Sequence, residues 1–286
     1  MKKRGIIAAA VIVVLIFAAD LFFSNFVLSI KKYEVTGAAA GLRIALVTDM
    51  HLGTGHIPAE RIVKKLKAQA PDIIALAGDF VDDYSAAEDF LQLYATVREL
   101  AGIAPVYFSL GNHERDLINA GHADITEQLE AAGAVVLDCS YTDIDINGVP
   151  LRIGGILDEV CHFYYTEQSF SESPHFDFLE DYNNTERYKI MLCHRPDSYY
   201  NYERLCGWDC DLLLCGHTHG GVIRVPFWRA VWTPDMGWFP ELSYGFYKKN
   251  QVNIVVSSGL AGYKNIPRLN NLPEICIIDI AEDEND

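Results

Sequence analysis

The chain has 286 residues, 50% of them hydrophobic and 22% charged, so it can bury a full core and is no disordered polymer. Its 39 acidic against 23 basic side chains give a formal charge of −16, a field that repels nucleic-acid backbones and anionic headgroups. A nucleic-acid partner held by general charge is thereby excluded, and an anionic substrate would need a local attractor such as a bound cation.

Lys2, Lys3 and Arg4 precede an apolar run from Ile6 to Ala19, which continues with few interruptions to Ile30. That length crosses a hydrocarbon core of ~30 Å, for which about 20 residues suffice. Positive charge ahead of the run predicts a single-pass anchor over residues 1–30 in the cell membrane, with the remainder extracytoplasmic. Asp20 and Asn25 then fall near the outer interface. A cleaved signal peptide competes with this reading, but Phe17 is too large for the third position before a cut after Ala19. Lys31 and Lys32, beyond the run, pull against the orientation.

Seven cysteines match no disulfide framework. Cys206, Cys210 and Cys215 fit no zinc-knuckle spacing, and Cys193 and Cys215 sit in apolar runs that read as core strands. Residues 31–42, with the small-residue stretch Gly37–Gly41, are expected to be a linker or a first strand. A single domain over 43–286 follows.

Within that domain apolar runs alternate with helical patterns. Strands are predicted at 43–48, 72–77, 105–110 and 134–137, and helices at 58–70, 86–100 and 123–132. Then the texture becomes β. Asn147-Gly148 between Ile144–Ile146 and Leu151–Ile153 is a hairpin signal. Further strands are predicted at 189–193, 211–214, 221–224, 252–257 and 275–280, and 169–186 reads as a long loop. The alternation followed by hairpins predicts an α/β fold of mixed sheets covered by helices.

Chemistry-bearing residues cluster where these strands end. Asp49-Met-His51 follows the first, Gly78-Asp79 the second and Gly111-Asn-His-Glu114 the third. His194 closes the 189–193 strand, and Gly216-His-Thr-His219 closes the one at 211–215. Each motif alone is weak, since Asp-x-His and Gly-Asp occur in ordinary turns. Five in this order, each at a strand exit, form a joint signal. Carboxylate, imidazole and amide oxygen together suit manganese, iron or zinc.

The ordered set resembles the calcineurin-like metallophosphoesterase superfamily, with its D-x-H, G-D, G-N-H-[DE], H and G-H-x-H signature, over about residues 43–280. The resemblance implies a four-layer αββα sandwich of two mixed sheets flanked by helices, here preceded by one transmembrane helix. It implies one metal held by Asp49, His51, Asp79 and His219 and a second held by Asp79, Asn112, His194 and His217, with Asp79 shared. The N-terminal run, the His217–Pro226 stretch and the Ser258–Gly262, Arg268 and Pro273-Glu-Ile ending are similar to the membrane-anchored bacterial phosphodiesterase branch.

The chemistry so implied is hydrolysis of a phosphodiester or pyrophosphate bond by in-line attack of a hydroxide bridging two divalent ions. The resemblance assigns His113 to transition-state stabilisation or leaving-group protonation, with Asp82 as its carboxylate partner. Arg195 and Arg268 are candidate contacts to substrate phosphate. Asp83 stands where related phosphoprotein phosphatases carry an Arg, and losing that bidentate fork disfavours a phosphoprotein substrate. The alternatives are a phosphomonoesterase and a catalytically silent scaffold; the full ligand set speaks against the scaffold. Phe227, Trp228, Trp232, Trp238 and Phe239 read either as packing under a loop or as a lipid-facing rim. A rim would suit a substrate linked to lipid or cell envelope.

Overall fold

In a computed structural model the described residues are 2–156, 174–199, 208–226, 228–233, 236–264 and 266–282. Helix α1, Lys2–Phe26, contains a stretch, Lys3–Phe26, long and apolar enough to cross a membrane, with mean hydropathy 2.9 and its apolar side chains exposed. It is followed at once by strand β1, Ser29–Thr36. Residues 31–36 of the segment expected as a linker or first strand lie in β1.

Two six-stranded sheets form the domain, with a two-stranded ribbon of β10 (Trp232–Thr233) and β11 (Gly237–Trp238). The first runs in the order β1, β14 (Glu274–Ala281), β2 (Arg43–Val47), β3 (Ile73–Ala77), β4 (Val106–Ser109) and β5 (Ala134–Leu137). Its strands β2 to β5 are parallel, and β14 is antiparallel to β2. The second runs in the order β12 (Gly245–Lys249), β13 (Val252–Val256), β9 (Leu212–Cys215), β8 (Tyr188–Leu192), β7 (Val149–Gly155) and β6 (Ser140–Ile146). There β13, β9, β8 and β7 are parallel between antiparallel edges.

The central strands are apolar throughout because both faces are covered. In β2, Ile44 and Leu46 face the second sheet and join Ile153, Ile190, Leu212 and Val255 in a core between the sheets. Ala45 and Val47 point the other way, against Ile62 and Leu66 of α2 (Ala59–Gln69) and Val97 and Leu100 of α3 (Ala87–Ala101). On the far face of the second sheet, Met191, Leu213 and Ile254 pack with Leu179 and Tyr182 of α6 (Pro174–Asn183). The order of layers is α, β, β, α.

The hairpin signal is realised between β6 and β7, where Asn147 and Gly148 both take positive φ, as a type I′ turn requires. Three expectations are corrected. Residues 174–183 of the supposed loop form α6, whose aromatic and acidic composition hid its apolar face. The supposed strand at 221–224 is a 3-10 turn, His219–Gly221, followed by isolated bridges. Positive φ at Gly220, Gly221 and Val222 prevents an extended run. Helix α4, Asn112–Asn119, was not foreseen, while the helix sought at 123–132 is α5, Ile125–Ala131. Cys193, Cys210, Cys215 and Cys276 are buried core residues, and no disulfide occurs among the described residues. Cys161, Cys206 and Phe227 lie outside the described residues.

Candidate metal centre

In each sheet the parallel strands point the same way, so their carboxyl ends form one edge, where open α/β sheets bind ligands. Asp49 follows β2, Asp79 follows β3 and Asn112 follows β4. His194 follows β8, while His217 and His219 follow β9. The two edges are laced together: the His217 N–H donates to Asp49 at 3.0 and 3.2 Å, and His194 Nδ1 lies 2.7 Å from the Ala77 carbonyl.

Five of the seven candidate ligands, Asp49, His51, Asp79, His217 and His219, have φ between 43° and 67°. Left-handed backbone at a non-glycine costs on the order of 1 kcal/mol or more, and such strain collects where function over-determines the chain. The turns themselves need glycine. Gly78, at φ 81°, lies so close to Gly111 that an added Cβ would meet the Gly111 backbone at 2.6 Å and His194 Nδ1 at 2.7 Å. Gly259, at φ 69°, lies against the Asp49 side chain.

The side chains converge in overlapping groups. Potential ligand atoms of Asp49, His51 and His219 lie within 4.8 Å of one another, as do those of Asp79, His194 and His217. Asp79 also belongs to a third such group with His51 and His113. Asp79 is thus common to two clusters, and His194 Nε2 lies 2.9 Å from its Oδ2. The other ring nitrogens are held from behind. His51 Nδ1 lies 3.2 Å from Asp82 Oδ2, and His219 Nδ1 lies 3.2 Å from the Ala261 carbonyl. An acceptor at Nδ1 keeps that proton in place and leaves Nε2 with its lone pair turned inward, as metal-binding imidazoles require.

The donor set fits divalent cations. His51 Nε2 and Asn112 Oδ1 are buried with no hydrogen-bond partner among the described residues, and buried polar atoms rarely stay so unless something else satisfies them. Burial pushes the His219 imidazole down to about 3, which favours the neutral ligand form. Burial alone would raise the Asp79 carboxyl, but the His194 imidazole beside it, with His51 and His113, holds it well below the usual carboxylate range. Burial likewise opposes a proton on His51, yet the Asp82 bond and the Asp79 and Asp49 carboxylates raise it.

Other candidates land elsewhere than expected. Asp82 is hydrogen-bonded to His51, with its other oxygen accepting from the Tyr84 N–H, while His113 acts on it only through its charge. The His113 ring stands 5.1 Å from that of His51, and the His113 backbone N–H donates to Asp79 Oδ1 at 3.0 Å. Arg195 Nε lies 3.5 Å from Asp197 in a largely buried setting. Arg268 is 1% exposed, and its guanidinium binds the carbonyls of Ala261, Ser258, Asn271 and Leu272 and Asn271 Oδ1. These bonds engage the whole guanidinium as a structural strut.

Glu114 had no assigned role. It is fully buried and accepts the N–H groups of Asp79, Phe80, Val81 and Gly111, tying the Gly78-Asp79 turn to the start of α4. Its position three residues after Gly111 is the spacing at which an acid reaches back to a helix start, a signal present in the sequence.

The comparisons agree with this geometry. A family profile described as calcineurin-like phosphoesterase matches residues 42–221, more than half of the chain. The Caenorhabditis elegans metallophosphoesterase F40B5.2 is 30% identical over 206 residues, 68% of this chain, and the chain spans 39% of that protein's length. Metallophosphoesterase YkoQ of Bacillus subtilis is 26% identical over 251 residues, covering 87% of each chain. Phosphodiesterase YaeI of Escherichia coli is 27% identical over 248 residues, covering 85% of this chain and 83% of its own. With its motifs at the strand ends, its buried histidine and aspartate clusters and a match across 42–221, the chain belongs to the calcineurin-like phosphoesterase family, metal-dependent hydrolases of phosphoester bonds.

Proposed function

We propose that the chain is a membrane-tethered phosphodiesterase that hydrolyses a phosphodiester or pyrophosphate bond with two divalent ions. The observation that supports this reading is that Asp79 groups with His194 and His217 on one side and with His51, itself beside Asp49 and His219, on the other. Asp49, His51, Asp79 and His219 would hold one ion, and Asp79, Asn112, His194 and His217 the other. When bound, such a pair neutralises phosphoryl charge and lowers the pKa of a coordinated water.

The chain's own residues do the rest. The turns at the strand ends, strained at five of the seven donors, hold them in place before substrate arrives, which limits reorganisation during reaction. Asp82 and the Ala77 and Ala261 carbonyls keep three imidazoles in one tautomer. His113, whose Nδ1 is buried without a hydrogen-bond partner, is the group to hand a proton to the leaving oxygen.

A diester fits better than a monoester because the fixed positive charge near the site is small. Arg268 is spent on backbone, and no Arg follows Asp82. A diester carries one negative charge on phosphorus oxygens where a monoester carries close to two. YaeI bears the name phosphodiesterase, which supports the same choice. In this reading residues up to Phe26 form the anchor and the catalytic domain begins with β1. Lys2, Lys3 and Arg4 hold the N-terminus in the cytoplasm, with the domain on the opposite side.

Asp79→Asn tests the assignment. Turnover of bis-p-nitrophenyl phosphate should be abolished while circular dichroism stays native. Unchanged turnover would reject the site, and faster turnover of the mono-aryl ester by the unmodified protein would favour the monoesterase alternative.

A further inference from the structure

A cavity of about 310 Å³ opens beside the candidate metal centre, at the low end of ligand-pocket sizes, ~300–1,000 Å³. Val222, Ile223, Val231, Trp232, Trp238 and Ile266 line it, and the indole N–H groups of the tryptophans are the sole polar atoms of these side chains. Its lining begins at Gly221, two residues after His219 in sequence. A single ring, Tyr263, stands between: its centroid is 5.7 Å from that of His219 and 5.4 Å from that of Trp232. At the mouth, Trp238 is 72% and Ile266 44% exposed. Water gains nothing from such a lining, so the cavity suits an apolar ligand.

The end of α1 indicates which one. Segment 266–272 forms a cavity wall at Ile266, and its next residues clasp the last two turns of that helix. Asn25 exchanges hydrogen bonds with the Arg268 backbone at 2.9 and 3.0 Å. The Asn270 N–H donates to Asp20 at 2.8 Å and the Asn271 N–H to Ser24 at 3.1 Å. Phe26 stacks on His56, with ring centroids 5.0 Å apart. A helix of this length spans about 36 Å at 1.5 Å per residue, which sets these last turns at the surface of a bilayer whose hydrocarbon core is ~30 Å. The clasp holds the domain there by the same segment that borders the cavity. Trp228, Trp238 and Phe239, all exposed, lie on the same lobe, and tryptophans favour that interfacial depth.

We infer that this cavity receives an alkyl or acyl chain of a lipid-linked phosphoester whose phosphorus sits at the metal centre, so that the substrate is drawn from the bilayer. The inference rests on the phosphodiesterase reading and names its substrate class. It also accounts for the cavity and the clasp, which hydrolysis of a soluble ester would not need.

The test uses the full chain in lipid nanodiscs with manganese, and p-nitrophenyl alkyl phosphates from methyl to dodecyl. The kcat/KM should climb with chain length, by up to about fourfold per methylene buried, until the cavity is full. In Ile266→Asp the dodecyl-to-methyl ratio should collapse, whereas partition into the disc is the same for both proteins. A second readout does not depend on turnover: 12-bromododecyl phosphate should quench tryptophan fluorescence, with the quench reduced in Trp238→Phe and in Ile266→Asp. A flat chain-length profile, or a ratio and quench untouched by both substitutions, overturns the inference and leaves the cavity to a protein partner. If no ester is hydrolysed, the phosphodiesterase reading fails, and the quench still decides whether the cavity takes an alkyl chain.

Discussion

The ligands hold conformations their residue types disfavour, and the groups around them explain how. Asp49, His51 and Asp79 have left-handed backbone, while their N–H groups donate to the Gly78 carbonyl, the Asp79 carbonyl and the Glu114 carboxylate in turn, rather than to a regular ladder. Glu114 stands at the centre of this arrangement. Burial and the nearby Asp79 charge push its carboxyl up, against the pull of its backbone donors. Removing it in Glu114→Ala leaves buried N–H groups without acceptors, each worth about 1–3 kcal/mol. Denaturant unfolding should show a loss of about 3 kcal/mol or more, and metal occupancy should fall with it. Asp82→Asn acts more locally. It weakens the hold on His51 Nδ1, and a partner of this kind is typically worth 10–100-fold in metal affinity. Calorimetric metal titration should show that loss with little change in unfolding midpoint. Unaltered affinity would mean that His51 is oriented by its turn alone.

Among the elements, the segment between Gly259 and β14 governs most. It carries Ala261, whose carbonyl backs His219, and Arg268, whose guanidinium gathers the surrounding carbonyls into one node. From sequence an arginine near a phosphate-processing site invites a substrate role, because charge is visible there and burial is not. Burial also drives Arg268 down to about 9, a sign of how fully water is excluded. Arg268→Lys keeps a charge but not the planar fork of five donors. Stability should fall by roughly 3 kcal/mol, judging from ~1.5–3 kcal/mol for each charged hydrogen bond lost, with a smaller proportional change in KM. A shifted KM at unchanged stability would return Arg268 to the substrate. Helix α4 shows a related limit: Gly111-Asn-His-Glu reads as a loop motif, but Glu114 folding back on Gly111 starts a helix there.

At the scale of the whole molecule, two forces meet at the paired strand edges: a surface charge of −16 and a centre that gathers cations. Stripping the ions with a chelator should abolish activity, restored by manganese, iron or zinc. It should also lower the thermal midpoint, since ligand at about 1,000 times its Kd contributes about 4 kcal/mol to the folded state. A chelated protein with unchanged midpoint and activity would remove the metals from the account. The surface acts on approach. Raising salt to ~0.1 M shortens the screening length to about 10 Å, so kcat/KM for a short anionic diester should rise rather than fall.

Local information was enough for much of this. Apolar run length and period in the sequence determined the long apolar N-terminal helix, the buried parallel strands and the Asn147-Gly148 hairpin, because these depend on spacing along the chain. The order of the motifs at strand exits likewise marked the metal-centre candidates. Tertiary structure alone decided that Asp82 serves His51, that Arg268 is a strut and that Glu114 ties two turns together. It also decided that α1 is clasped by segment 266–272 beside an apolar cavity. Those assignments depend on which groups meet across long sequence separations and on how much water remains between them, and neither is written in the order of residues.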